Sequence, residues 1–189
     1  MRKLKLQMQM TIDGFVAGPN GENDWVFLPG AQDPAALQFT IDLAGSCDTI
    51  LTGRTSAEGF AAHWQNVVDN QPDSPWHPFA KLMINHRKIA FSRTNTEIAG
   101  PNLELETGDL ATVVQALKKQ PGKDLLSYGG VEFAQSLIDL NLVDEYYIIV
   151  NPVALGSGLS IFKDRKVLKL ESSTAYTNGK VLNKYVPAG

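Results

Sequence analysis

The sequence predicts an α/β fold: a mainly parallel central sheet with helices on both faces and an antiparallel hairpin at its C-terminal end. Three observations carry this. Short apolar runs alternate with helix-period segments as far as Leu140, which implies parallel strands joined by helical crossovers. The run from Tyr146 to Leu155 has too few polar positions for a solvent face and reads as an internal strand. Asn178-Gly179 lies between two β-rich runs, a strong hairpin signal.

The 189 residues fit one domain spanning residues 1–189, and 43% hydrophobic with 20% charged residues is an ordinary globular composition. A formal net charge of −3 gives no broad footprint for nucleic acid or an anionic membrane, so any anion site must be local. Cys47 is the single cysteine, which excludes an intrachain disulfide and a thiol-rich metal centre. His63, His77 and His86 lack ligand spacing, so no metal is expected. Met1-Arg2-Lys3-Leu4 runs straight into a strand and no later stretch is long enough to span a bilayer, so a cytoplasmic protein is expected.

Leu4 to Thr11 alternates Leu4, Leu6, Met8 and Met10 with Lys5, Gln7, Gln9 and Thr11, the pattern of a half-buried strand. Gly18 to Trp25 is a polar, Gly/Pro-punctuated loop ending on an aromatic, a candidate lid unless Trp25 is tucked into the core. Asp33 caps a helix from Pro34 to Ala44, closed by Gly45. A strand over Asp48 to Thr52 ends at Gly53-Arg54-Thr55-Ser56, which opens a helix through Ala62. There Thr55 or Ser56 could simply cap the helix and Arg54 could simply pair with a carboxylate. Asn66 to Pro78 reads as a loop, Phe79 to Ile84 as a short helix, and Lys88 to Phe91 as a strand ending in Ser92-Arg93-Thr94. Leu103 to Leu105 is a further strand, and Asp109 caps a helix from Leu110 to Lys119 that Pro121-Gly122 stops. Asp124 to Ser127 is a buried strand running into Tyr128-Gly129-Gly130. Val131, Phe133, Ala134, Leu137 and Ile138 then mark an amphipathic helix. Gly156-Ser157-Gly158 breaks the long β-rich run, and the runs before and after Asn178-Gly179 make the hairpin.

In such sheets, ligands bind outside the carboxyl ends of the strands. Gly53-Arg54-Thr55-Ser56, Ser92-Arg93-Thr94 and Ser127-Tyr128-Gly129-Gly130 with Val131 each follow a strand and so share that edge. Helix starts suit a pyrophosphate, and arginine forks suit a phosphate monoester. A dinucleotide with an added 2′-phosphate has that charge distribution, which favours NADPH over NADH.

These residues resemble a known family. Ile12 to Gly18, Asp48 to Thr55, Phe91 to Thr94, Leu142 to Glu145, Pro152 to Gly158 and Ile161-Phe162 resemble the C-terminal reductase domain of bacterial bifunctional deaminase-reductases of riboflavin biosynthesis. The resemblance covers nearly the whole chain. It implies a dihydrofolate-reductase-like three-layer sandwich, a homodimer, and NADPH held by the three junctions, with the Gly18 to Trp25 loop over the nicotinamide. The expected activity is hydride delivery to a C=N or C=O carbon of a small pterin-like, pyrimidine or ribosylamino compound, of the 5-amino-6-(5-phosphoribosylamino)uracil reductase type. True dihydrofolate reductase activity, with Asp33 as the pterin acid, is one alternative; a nucleotide-binding regulatory protein without turnover is another. Neither family substrate signature is intact: Leu28-Pro29 is followed by Gly30-Ala31-Gln32, and Ser127 stands where riboflavin-type reductases carry Glu. For the proton donor the first candidate is Asp13, at the end of the first strand, with a pKa expected to be raised by burial; Glu145 is the second.

Overall fold

The computed structural model describes residues 1–27, 33–94 and 97–188; the Leu28-Pro29-Gly30-Ala31-Gln32 segment lies outside them. The strands are β1 Leu4–Thr11, β2 Cys47–Gly53, β3 Arg87–Phe91, β4 Leu103–Glu106, β5 Asp124–Ser127, β6 Glu145–Asn151, β7 Leu168–Ala175 and β8 Val181–Pro187. They form one sheet in the order β4-β3-β2-β5-β1-β6-β8-β7. From β4 to β6 every pairing is parallel, while β8 runs antiparallel to β6 and β7 antiparallel to β8. The helices are α1 Pro34–Gly45, α2 Arg54–Asn70, α3 His77–Asn85, α4 Leu110–Lys119 and α5 Val131–Asp139.

The period-2 alternation of the strands divides the core in two. Leu4, Leu6, Met8, Leu51, Leu125 and Ile148 pack under α4 and α5. Ile50, Leu126, Tyr147 and Ile149 pack under α1 to α3. Helices therefore cover both faces, as expected for parallel strands. Asp33 accepts from the N–H groups of Ala35 and Ala36 at the start of α1, and Asp109 from that of Thr112 in α4. No helix among the described residues is long and apolar enough to cross a membrane.

Two expectations are corrected. β1 is not half-buried: it sits between β5 and β6 beneath helices on both sides, so Lys5, Gln7 and Thr11 are buried along with the leucines. Lys5 escapes by sending its ammonium to the sheet's amino end, 2.9 Å from Asp124 and 2.8 Å from Ser46. Asn66 to Pro78 is only partly loop. α2 continues to Asn70 because Val67 is buried and side-chain amides bridge one turn, Gln65 to Asp69 and Asn70 to Asn66. Pro78 lies in the first turn of α3, where its missing N–H costs no helical bond.

The terminal hairpin forms as expected. Gly179, at φ +84°, donates to the Tyr176 carbonyl at 3.0 Å, and the Tyr176 N–H donates to Lys180 at 2.8 Å. The turn also fastens the start of the chain: Lys180 Nζ donates to the Val26 carbonyl, and Thr177 donates through its N–H and hydroxyl to Asp33.

Candidate active site

Parallel register sets the carboxyl ends of β3, β2, β5 and β1 along one edge. Gly53 pairs with Phe91, just before Ser92, and Ile50 pairs with Leu126, so the three junctions lie on adjacent strands. Both α2 and α5 begin there, behind Gly53 and Gly130, and neither start receives a side-chain cap from the described residues. Thr55 and Ser56 therefore do not cap α2. The two starts touch: a Cβ added to Gly130 would lie 3.4 Å from Ser56 Oγ, and one on Gly53 would lie 3.3 Å from Phe133 Cβ. Gly129 and Gly130 take φ of +118° and +58°, which lets the chain turn sharply into α5. The first N–H groups of two helices thus converge, an arrangement that favours an anion.

Arg54 begins α2. Its Nη1 lies 3.1 Å from Glu58 one turn on, so the carboxylate pairing considered from the sequence exists, yet its Nε is buried without a hydrogen-bond partner among the described residues. Arg93 is exposed beyond β3, where the Ser92 N–H donates to Glu106 and the Thr94 N–H to Ser92 Oγ. Val131 opens α5 half-buried against the α4/α5 core, and Ser127 is fully buried. Ser127 alternates with Leu126 and Tyr128, so it faces the α4/α5 side, away from the cavity described next.

That cavity, about 160 Å³, runs from the Gly129-Gly130 turn and Ser56 down the α1–α3 face to Thr52, Ile50, Phe60 and Tyr128. Its wall is aromatic: Phe60 stacks on Tyr128 at 6.2 Å, and Phe79 meets Tyr128 edge-on at 5.7 Å. The Tyr128 hydroxyl is buried without a hydrogen-bond partner among the described residues, and burial pushes its pKa well up.

The other candidate residues fall elsewhere or act differently. Asp13 is exposed, and its carboxylate accepts from the Thr11 hydroxyl and from the N–H groups of Gly156 at 2.7 Å and Leu155 at 3.0 Å. The Thr11 hydroxyl first, then Gly156, hold its pKa below the usual carboxylate value, the reverse of the expected rise. Glu145 is buried at the amino end of β6, salt-bridged to Lys3 at 2.7 Å and Lys184 at 3.2 Å, with the Tyr147 hydroxyl at 2.8 Å. The rise of the strand puts it about 20 Å from the carboxyl edge, so it cannot reach a ligand there. Trp25 is 2% exposed within a 3-10 turn over Asp24–Phe27, its indole N–H on the Glu22 carbonyl, so it is tucked in rather than presented. Both Asp33 oxygens are engaged, on α1 and on Thr177; the Thr177 hydroxyl leads in lowering its pKa, which leaves it little capacity for a pterin.

Two polar residues were missed. Gln7 follows Lys5 in β1 as Tyr128 follows Leu126 and Thr52 follows Ile50, so it continues the cavity's row across the sheet. It is 6% exposed, and its amide makes no hydrogen bond among the described residues, with Oε1 fully buried. Asn151 is 0% exposed and donates to Gln9 Oε1 at 2.8 Å, while its own Oδ1 lacks a partner among the described residues. A sequence signal existed: amides at alternate positions of a strand whose neighbours bury both faces.

Comparison with known proteins agrees with this geometry. The chain is 36% identical over 183 residues to uncharacterized protein YyaP of Bacillus subtilis (strain 168), covering 95% of this chain and 92% of that one. Acinetobacter baumannii RibD superposes with a TM-score of 0.74 at 17% identity, matching all of this chain and 59% of that longer protein. Enterococcus faecalis dihydrofolate reductase complexed with NADP(H) gives a TM-score of 0.61 at 15% identity, over 99% of this chain and 97% of that one. The sheet and its helices are thus of the dihydrofolate-reductase-like type, and with the RibD C-terminal domain model matching residues 2–182, the chain belongs to the RibD C-terminal domain family.

Proposed function

We propose that this protein is an NADPH-dependent reductase of a small heterocyclic compound, in a riboflavin-pathway reductase-like role. The observation that carries the reading is the meeting of two uncapped helix starts at the sheet's carboxyl edge, beside an arginine with a buried, unpaired Nε. The first N–H groups of α2 and α5 would hold the pyrophosphate, with Thr55 and Ser56 at its rim and Gly129 letting the chain pass close. Arg54 and Arg93, with the Ser92 turn, would take the 2′-phosphate. When bound, the dihydronicotinamide supplies a hydride to carbon, and a proton from water completes the reduction. Water is assigned that role because Asp13, held below its ordinary pKa, is ionised at neutral pH. We also propose a homodimer, since β7 leaves an edge of the sheet without a neighbouring strand among the described residues.

Titration with NADPH and NADH tests the cofactor assignment. Loss of a charge-assisted hydrogen bond costs about 1.5–3 kcal/mol, so Arg93→Ala should weaken NADPH by about ten- to a hundredfold. NADH should change much less. Equal weakening of both cofactors would remove the 2′-phosphate assignment, and failure of the parent protein to bind either would remove the reading.

A further inference from the structure

The cavity side of the sheet is poor in positive charge. Arg54 is the sole Lys or Arg from Leu6 to Ala80, a span that supplies α1, β2, α2 and most of β1. Lys81 in α3 is exposed. Lys5 is held at the far end of the sheet, and buried Lys88 donates to the carbonyls of Met83, Ile84 and His86 at 2.8–3.0 Å, closing the end of α3. Lys180 spends its ammonium on Val26. What the cavity offers is an aromatic wall of Phe60 and Tyr128, and Gln7, outside that lining, is the neighbour of Tyr128 on the next strand.

We infer that the compound reduced at this site is a flat, uncharged heterocycle with a cyclic-amide edge and no phosphate, and that Gln7 reads that edge. The inference rests on the reductase reading above. A phosphate monoester taken out of water needs an arginine fork, a lysine or a helix start. Both helix starts and Arg54 are already committed to the dinucleotide. A primary amide carries one acceptor and two donors side by side, the complement of an N–H beside a C=O in a ring. Gln7 carries that pair, with its Oε1 buried without a hydrogen-bond partner among the described residues, one strand over from Tyr128, whose ring a planar ligand can stack against.

The test begins by titrating NADP+ alone; if it does not bind, the reductase reading fails before this inference is reached. On the NADP+-loaded protein, binding of an aminopyrimidinone and of a pterin is followed by tryptophan fluorescence, each with and without a phosphoribosyl arm. The expected result is that a bare ring binds at least as tightly as its phosphoribosyl form. Gln7→Leu should weaken the bare ring tenfold or more, with NADP+ binding unchanged and the melting temperature unchanged or raised, because a buried unpaired amide is removed. Tenfold tighter binding of the phosphoribosyl form overturns the inference, as does no binding of either bare ring. Parent-like ring binding by Gln7→Leu overturns the role of the amide.

Discussion

Glu145 is a carboxylate whose burial is opposed by its partners. Burial alone would raise its pKa, but Lys3, Tyr147 and Lys184 together bring it down to about 2. The folded value lies below the ordinary one, so its contribution is complete above about pH 4.5 and is lost as pH falls toward 2; that shift corresponds to about 3 kcal/mol. Denaturant unfolding of Glu145→Gln should show a loss of about 2–3 kcal/mol at pH 7 and a flatter acid limb. An unchanged acid limb would mean that the network is solvated. Asp13 behaves differently because it is exposed: Asp13→Asn should lower the melting temperature by loosening the Leu155–Gly156 turn while leaving hydride transfer near the parent rate. A large rate loss with normal folding would return the proton to this side chain. The sequence showed both acids but not their surroundings. Lys3, Tyr147 and Lys184 come from three separate strands or strand ends, and Gln7 became notable only once both of its faces were known to be covered.

At the level of elements, periodicity and caps located nearly everything. Leu110–Lys119 and Leu4–Thr11 were legible to the residue, because Asp109 and the alternating leucines mark them. Asn66 to Asn70 was not, since a polar composition conceals a helix that continues on one buried valine and two amide bridges. The strand-to-helix turn before α5 was legible from its two glycines, and it makes a prediction. Gly129 sits at φ +118°, and a Cβ there would come within 3.1 Å of Met8 Sδ. Gly129→Ala should therefore destabilise by about 1–3 kcal/mol from strained backbone, and it should weaken NADPH more than tenfold by displacing the start of α5. Calorimetric titration and thermal melting check both; parent-like values would show that the turn relaxes without cost.

For the whole molecule, sheet order was only partly legible: alternation of strands and helices indicated parallel pairing but not that β1 would lie at the centre. β7 is exposed along most of its length, with Leu170 in it 50% exposed and Val167, just before it, 68% exposed. An open edge of this kind is a place for a second copy to add. Sedimentation at micromolar concentration should give a dimer, and replacing Leu170 by Lys should shift it toward monomer; a monomeric parent would end the proposal. The central position of β1 also bears on how the chain is made. Its neighbours are β5 and β6, with Leu4 beside Leu125 and Lys5 beside Glu145. As the polypeptide is made, β1 therefore has no strand partner until residues beyond Asp124 have followed it, and Leu4, Leu6 and Met8 have no sheet to pack in before then. Closure of the sheet thus waits on residues beyond Asp124 and is a late, long-range event in folding.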